Sequence, residues 1–501
     1  MFGVMLSVLV ALMHWYIWKR LVKDTMRPGR ARRALTVLTV VLALLVFATL
    51  TLPRTIGLDA SRWFTWPGYI WFGLIVYLFL TLAVLELPRL ALRRWTNRTP
   101  LEASATNDPP APTKAATPAQ ASTDSAPPQA GSDSHPVGSG AKPAQPTTND
   151  PSSTPTPDAS TTPPPTFPAG PTTNDPGSTP IPLAPTAPTP TFPAEPATSD
   201  SGSTPSPLPP TTSAPTSPSE PAVARPVSRR VFLSRSAGVV AGAASVSLVG
   251  VGLANALGPP DLLRVPIRLP KLNPAFDGFR IAVVSDIHLG PLSGRAHTER
   301  IVRMINETSP DLVAVVGDLA DGTVGELGPA AAPLRDLASR EGTFFVTGNH
   351  EYFEEPFEWL RELDRLGVNT LRNENTVIRR GDGAFDLAGV NDLSGRSVDD
   401  GPDFDRALSG RDSSRPTVLL AHQPVQVSEA AKRGVDLQLS GHTHGGQLWP
   451  FHYIVKLQQG AVAGLSTVDN TQLYVTRGAG FWGPPVRVGA PPDITVLTLR
   501  S

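Results

Sequence analysis

From about Thr99 to Pro226 the chain is Pro, Thr, Ser and Ala with few large apolar side chains, and this tract limits what the remainder can build. Such a composition cannot bury enough apolar surface to offset the entropy of ordering the backbone. It reads as a disordered, partly extended linker over 99–227. PTTNDP at Pro146 returns at Pro171, and TFPA at Thr166 returns at Thr191, a period of 25 residues. With no apolar positions to stack between copies, the period reads as duplicated linker rather than a solenoid. A chain of 501 residues with 56 prolines therefore leaves room for one catalytic-sized domain, fewer than length alone suggests.

Ahead of the linker, a membrane region at 1–98 holds three apolar segments: Phe2 to Trp18, Leu35 to Leu52 and Tyr69 to Leu87. Crossing a bilayer takes ~20 apolar residues, so all three read as transmembrane helices. The first is the shortest and carries His14. It lacks a small-residue cleavage site before its basic flank, which favours an uncleaved span over a signal peptide. Trp15, Tyr16 and Trp18, and again Trp63, Trp66, Tyr69 and Trp71, have the amphipathic rings that settle at membrane interfaces. Lys19, Arg20, Lys23, Arg27, Arg30, Arg32 and Arg33 follow the first segment; Arg89, Arg93, Arg94 and Arg98 follow the third. Both flanks are expected in the cytoplasm, with the nearly uncharged loop from Arg54 to Pro67 outside.

A further apolar stretch at 228–258 opens with SRRVFLSRS and continues as a Gly/Ala-rich run long enough to span. The opening is like a twin-arginine export signal, but it lies internally, so it reads as a fourth transmembrane helix or uncleaved anchor. Cleavage at Ala254-Asn255-Ala256 is the alternative. Either way, the linker stays cytoplasmic and whatever follows is delivered to the extracytoplasmic face.

The net charge is zero, and no basic run accompanies the C-terminal region, which argues against a nucleic-acid partner because backbone phosphates are held by cations. There is no cysteine. Disulfides, thiolate catalysis and zinc–thiolate sites are thereby excluded.

In the C-terminal region, 270–501, apolar runs alternate with helical patterns. IAVVSDIHLG at Ile281–Gly290 reads as a buried strand whose end presents Asp286 and His288 on one face, since side chains at i and i+2 of a strand share a side. A helix is expected over Thr298–Glu307, a strand over Leu312–Gly317 ending on Asp318, a helix near Ala330–Arg340, and a strand over Thr343–Val346 ending on Asn349 and His350. Later strands at Phe385–Val390, Thr417–Ala421, Leu437–Ser440, Leu473–Thr476 and Ile494–Leu499 include one that ends on His422 and one that ends on His442 and His444. This rhythm is that of an α/β sheet with its site at the carboxyl ends of the strands. A single histidine before Gln-Pro, such as His422, ordinarily serves a turn. Five strand ends all carrying Asp, Asn or His point instead to convergence on one centre.

Mixed carboxylate, imidazole and amide-oxygen donors suit hard to borderline divalent ions such as manganese, iron or zinc. Eight such groups exceed the needs of one ion. Two ions ~3.5–4 Å apart share a carboxylate, activate a bridging water as hydroxide and hold the attacking and leaving oxygens of a phosphoryl centre. Glycines ahead of Asp318, Asn349 and His442 allow sharp turns and close backbone approach.

The segments SDIHLG, VGDL, GNHE, LLAHQP and SGHTHGGQ together resemble the calcineurin-like metallophosphoesterase family over roughly Arg280 to Gly446, with weaker similarity in TRGAGFWGPPVRVGAPPDITVLTL. Within it the chain is most similar to the bacterial membrane-anchored branch. The resemblance implies a four-layer α/β/β/α sandwich. It also implies one ion on Asp286, His288 and His444, a second on Asn349, His422 and His442, Asp318 bridging, and His350 beside them orienting phosphate and aiding the leaving oxygen. Gln447 and Arg477 are candidates for supporting or phosphate contacts, Arg372, Asn373 and Asp392 for bordering the substrate, and His297 and His452 for packing. The expected function is a membrane-anchored phosphohydrolase with two divalent ions, acting on a phosphomonoester, phosphodiester or pyrophosphate that is lipid-linked or part of the envelope. A catalytically silent phospholigand sensor and a nuclease are the alternatives.

Overall fold

The computed structural model describes residues 2–92 and 229–501. The expected linker with its repeats, Ser228 and the cations Arg93, Arg94 and Arg98 lie outside the described residues. Among the described residues, four helices are long and apolar enough to cross a membrane: α1 (Phe2–Trp18, continued by a π-turn at Lys19–Lys23), α2 (Arg30–Thr51), α3 (Leu58–Ala91) and α4 (Arg229–Leu257). Small residues let them approach: Gly68 of α3 faces Thr49 of α2 with no room for a Cβ. At the basic end, Arg20 pairs with Asp24 (3.0 Å) and Glu86 (2.9 Å), and Arg89 reaches the same two carboxylates at 3.5 and 3.4 Å.

The loop expected from Arg54 to Pro67 is helical instead. A one-turn helix occupies Pro53–Ile56, and α3 starts at Leu58 with Pro67 inside it. The cause is tertiary. The Glu326 carboxylate accepts the Leu58 N–H at 3.1 Å, which satisfies a free donor at the helix start and complements its dipole.

Two six-stranded sheets follow. The first has the order β1-β12-β2-β3-β4-β5, built from β1 (Asp261–Arg268), β12 (Asp493–Arg500), β2 (Arg280–Val284), β3 (Leu312–Val316), β4 (Thr343–Val346) and β5 (Asn369–Thr370). β2 to β5 are parallel, β12 is antiparallel to β2, and β1 is parallel to β12. The second has the order β10-β11-β9-β8-β7-β6, built from β10 (Gly464–Val468), β11 (Thr471–Val475), β9 (Leu437–Ser440), β8 (Thr417–Leu420), β7 (Gly383–Gly389) and β6 (Glu374–Arg380). Its middle four strands are parallel, with antiparallel hairpins at both edges. Because β1 is paired along its whole length to β12, the sheet begins ahead of residue 270, where the domain was expected to start.

Continuous β-branched runs such as RIAVV and LVAVV belong to strands covered on both faces. Ile281, Val283, Leu312 and Val316 of one sheet meet Phe385, Leu387, Leu420 and Leu439 of the other in a shared core. Phe276, Phe279 and Phe385 cluster there with ring centroids 5.1–5.5 Å apart, each fully buried ring contributing about 1.5–3 kcal/mol. On the outer face of the first sheet lie α5 (Arg295–Glu307), α6 (Val324–Ala331) and α8 (Pro356–Arg365), with α7 (Asn349–Phe353) at the end of β4. On the second lie α9 (Phe404–Ala407) and α10 (Val427–Lys432). The layers are thus α/β/β/α. The helix expected at Ala330–Arg340 starts earlier and ends as a 3-10 turn at Ala332–Asp336, because Thr323 and Glu326 form a capping box ahead of it and Pro333 cannot donate onward.

Candidate metal centre

The carboxyl ends of β2, β3 and β4 in one sheet and β8 and β9 in the other point to one place. Val284, Val315 and Phe345 are in register across the first sheet, so the chain leaves those strands level. Asp286 and His288 lie past the last strand residue. They sit at φ 51° and 48°, so the pair is delivered by left-handed backbone rather than by pleat alternation. Asp318 (φ 55°), His442 (φ 69°) and His444 (φ 50°) share this conformation. Asp and His tolerate it better than branched residues do, yet such concentration marks a strained site. Gly317 is itself at φ 76°. Gly348 and Gly441 have ordinary φ, and their need is space: a Cβ on Gly348 would overlap the Asp318 carboxylate, and one on Gly441 would overlap Ser285 and Asp286.

Three sets of donors converge, each within 4.8 Å: Asp286, His288 and His444; His288, Asp318 and His350; Asp318, His422 and His442. His288 Nε2 is 3.0 Å from His444 Nε2, and His444 Nε2 is 3.3 Å from Asp286 Oδ1. Asp318 Oδ2 lies 3.8 Å from His288 Nε2 and 3.1 Å from His422 Nε2. Asn349 Oδ1 is 2.8 Å from His442 Nδ1. Every residue expected at the centre is therefore brought to it, with Asp318 common to two sets.

The donor chemistry fits divalent cations. His422 Nδ1 lies 2.8 Å from the Val316 carbonyl, which only accepts, so Nδ1 carries a proton and Nε2 is the atom turned toward Asp318. Burial opposes protonation of the ring, but the Asp318 and Asp286 charges outweigh it and raise its pKa well above the ordinary value, a positive charge that a cation can replace. That Nε2 is buried and has no hydrogen-bond partner among the described residues. Burial, with the positive charge of His422 next, pulls His442 down to about 3, and burial followed by Arg487 and His288 holds His444 well below the usual range. Both rings stay neutral, as ligands must be. Burial acts against ionisation of Asp318, but His422, His350 and His288 hold it well below the usual carboxylate range. Asp286 is shifted up by burial, with the Asp318 charge adding. His350 is raised to about 9: burial opposes this, and Asp318 and Asp321 outweigh it. The centre draws positive charge wherever it can find it.

Three supporting residues escaped the sequence reading. Asp321 Oδ1 sits 2.6 Å from His350 Nδ1 and 2.9 Å from His288 Nδ1, orienting both rings. The only sign of it in the sequence is its place three residues after Asp318. The buried Glu351 carboxylate accepts backbone N–H groups of Gly348 (2.6 Å), Leu319 (2.7 Å) and Asp318 (3.1 Å), tying two loops together. Arg487 is fully buried; its guanidinium lies 3.0 Å from His444 Nδ1 and donates to the carbonyls of His444, Arg477 and Gly480.

Of the residues weighed for other roles, Gln447 holds the backbone of Trp482 and Pro484, and Arg477 pairs with Asp493 at 2.8 Å. Neither is turned to the centre. Arg372 is bound to Asp400, and Asn373 clamps Asn391, Gly401 and Asp403. Asp392 is fully buried against Gln423, and His422 is among the charges it feels. His452 packs against Tyr453 in a tilted arrangement, with ring centroids 4.0 Å apart. His297 is half-buried on α5.

A family model described as calcineurin-like phosphoesterase matches residues 279–446. A transmembrane protein with metallophosphoesterase domain from Danio rerio is 40% identical over 260 residues, 50% of this chain and 60% of that protein. An uncharacterized metallophosphoesterase of Campylobacter jejuni is 39% identical over 264 residues, 51% of this chain and 68% of that protein. One from Bacillus subtilis is 32% identical over 287 residues, 55% of this chain and 99% of that protein. The chain spans about 60% of the length of the animal relative it matches.

Proposed function

This chain belongs to the calcineurin-like metallophosphoesterase family, and from that premise we propose that it is a membrane-anchored phosphohydrolase that uses two divalent ions at the extracytoplasmic face. The observation that carries the proposal is the convergence of three donor sets, two of which share Asp318 and two of which share His288. Asp286, His288 and His444 would hold one ion; Asn349, His422 and His442 the other; Asp318 both. When bound, ions at such a site supply Lewis-acid polarisation of a phosphoryl oxygen and lower the pKa of coordinated water. The protein does the rest. Asp321 fixes Nδ1 of His350, which leaves Nε2–H to orient a phosphoryl oxygen and to give its proton to the leaving oxygen. Asp321 also fixes His288, and Arg487 holds the backbone carbonyl of His444, so the loops that carry these two residues are preorganised.

Sidedness is supported by a separation of ends. Arg20 and Arg89 mark one end of the helices, and the phosphoesterase layers contact the other: Arg300 donates to the Leu257 and Gly258 carbonyls at 3.2 and 3.1 Å, at the finish of α4, while Glu326 holds the start of α3. Basic ends stay in the cytoplasm. On this reading the linker, which lies outside the described residues, belongs to the cytoplasmic side. The substrate proposed is a phosphoester or pyrophosphate carried by a lipid or the envelope. Multi-pass anchorage in the bacterial style completes the proposal.

The test is hydrolysis of aryl phosphomonoesters, aryl phosphodiesters and a lipid pyrophosphate by purified protein loaded with manganese, iron or zinc, with Asp318→Ala alongside. Turnover lost in Asp318→Ala is the expected result. No turnover with any metal, or equal turnover in both proteins, overturns the hydrolase assignment.

A further inference from the structure

The phosphoesterase layers do not stop at the helix ends. Val486, on the loop before β12, is fully buried in an apolar cluster with Tyr77 of α3 and Val249 of α4, with Leu448 and Val488 packed beside them. Gly73 of α3 has Val486 at the position a Cβ would contact, 3.1 Å away. Val249 lies eight residues before the end of α4 at Leu257, which at a rise of 1.5 Å per residue is ~12 Å down the helix. Tyr77 lies eight residues into the apolar stretch that begins at Tyr69, again ~12 Å. Counted from Leu257 on α4 and from Tyr69 on α3, which itself begins further out at Leu58, the contact lies ~12 Å along the apolar part of each helix, about the depth of one leaflet in a hydrocarbon core ~30 Å thick.

What continues from Leu448 is a short amphipathic helix, α11 (His452–Gln459), preceded by Trp449 and Phe451. Its outward side is apolar: Tyr453 is 63% exposed, Ile454 53% and Leu457 87%. Trp449 and Phe451 are exposed beside them, and Lys456 is exposed on the same helix. Large apolar side chains gathered this way mark a contact surface. Aromatic rings with a lysine at the edge have the composition of a helix lying in a headgroup layer.

We propose that α11 and the segment leading into it are an interfacial lipid-contacting element, so that the phosphoesterase layers sit partly within the outer leaflet rather than above it. The occupant of this surface is the phospholipid bilayer, because the segment is continuous with residues already packed on α3 and α4 below their ends. The consequence reaches the centre. His350 lies against Phe353 (5.3 Å between centroids) and Trp482 (5.9 Å), both exposed, and Trp482 is four residues from the buried anchor Val486. The centre opens toward the lipid headgroup plane, where a lipid-carried phosphate stands. This rests on the reading of α3 and α4 as membrane spans.

The absence of cysteine makes the test direct. Full-length protein with single substitutions Tyr453→Cys or Leu457→Cys, each carrying a nitroxide, is placed in phospholipid nanodiscs, and collision with oxygen is compared with collision with a water-soluble nickel chelate. Val41→Cys on α2 reports the span, and Asp382→Cys, on the β6–β7 turn at the opposite end of the sheet, reports water. The expected result is that the α11 labels match Val41, with oxygen collisions favoured several-fold over Asp382. If they match Asp382 while Val41 stays lipid-exposed, α11 lies in water and the proposal falls with the spans intact. If Val41 also reports water, the membrane reading itself falls. Exclusion of both reagents at α11 means a protein surface covers it, which overturns the bilayer as occupant.

Discussion

Protons and divalent ions compete for the same field around Asp318. His350 carries its proton up to about 9 in the ion-free protein because Asp318 and Asp321 overcome the cost of burial. Its folded-state value lies above its ordinary 6.5, so its contribution to stability is fully present below about pH 6.5 and is lost as pH rises through about 9. The shift corresponds to roughly 3 kcal/mol of differential interaction. Chelator-treated protein is therefore expected to lose thermal stability steadily between pH 6.5 and 9. Adding manganese or zinc at pH 7 is expected to flatten that slope and release protons, read as buffer-dependent heat in a metal titration. Equal heats in buffers of different ionisation enthalpy would refute the exchange. Asp321→Asn removes the charge that holds His350 Nδ1 and His288 Nδ1. We expect turnover to drop about 10–100-fold. The alkaline limb of the pH–rate profile moves to lower pH, because His350 then gives up its proton more readily. A merely structural role would lower turnover without moving that limb.

At the scale of elements, the loops after the strands do more than carry ligands. Five of the expected ligands sit at left-handed φ, a conformation that costs about 1–3 kcal/mol where side chains are unsuited to it. Glu351 helps hold two of these loops through three backbone N–H groups. Gly348→Ala would set a methyl onto the Asp318 carboxylate. It is expected to weaken metal binding at least tenfold, with the far-ultraviolet circular dichroism of the sheets unchanged; unaltered affinity would show that the loops accommodate a side chain there. These loops also mark where the sequence stops being readable. Runs such as IAVVS and LVAVVG announce strands by β-branched content alone, and the polar residues after them announce a site. That Asp286 leaves through left-handed backbone is set by contacts with Gly317 and His442, distant in sequence. Helix α6 begins earlier than the alanine-rich stretch at Ala330 suggests for a local reason: Thr323 and Glu326 cap it ahead of that stretch.

In the whole molecule, the expected ligands were legible because each sits in a short motif at a strand end, whereas Arg487 was not, because its partners come from four separate segments. Its role links anchor to centre. The Arg487 N–H donates to the Gly252 carbonyl of α4 at 2.9 Å, and Asn255 Nδ2 donates to the Arg487 carbonyl at 3.1 Å, while its guanidinium meets His444. Burial draws that guanidinium down to about 10, which leaves it charged at neutral pH. A membrane helix thus reaches an expected metal ligand through one residue. Gly252 has no room for a side chain against Val486, Val488 and the Arg487 N–H, whereas Gly250 faces open space. Gly252→Leu is expected to lift the 486–488 segment from α4, displace Arg487 from His444 and weaken metal binding several-fold, with Gly250→Leu unchanged. Metal titration of both variants in nanodiscs decides it. If the two bind metal alike, α4 is an anchor that leaves the centre untouched. If only Gly252→Leu weakens binding, seating the domain in the membrane is part of assembling its site, and a fragment freed from the helices is expected to hold its ions poorly even where its sheets remain folded.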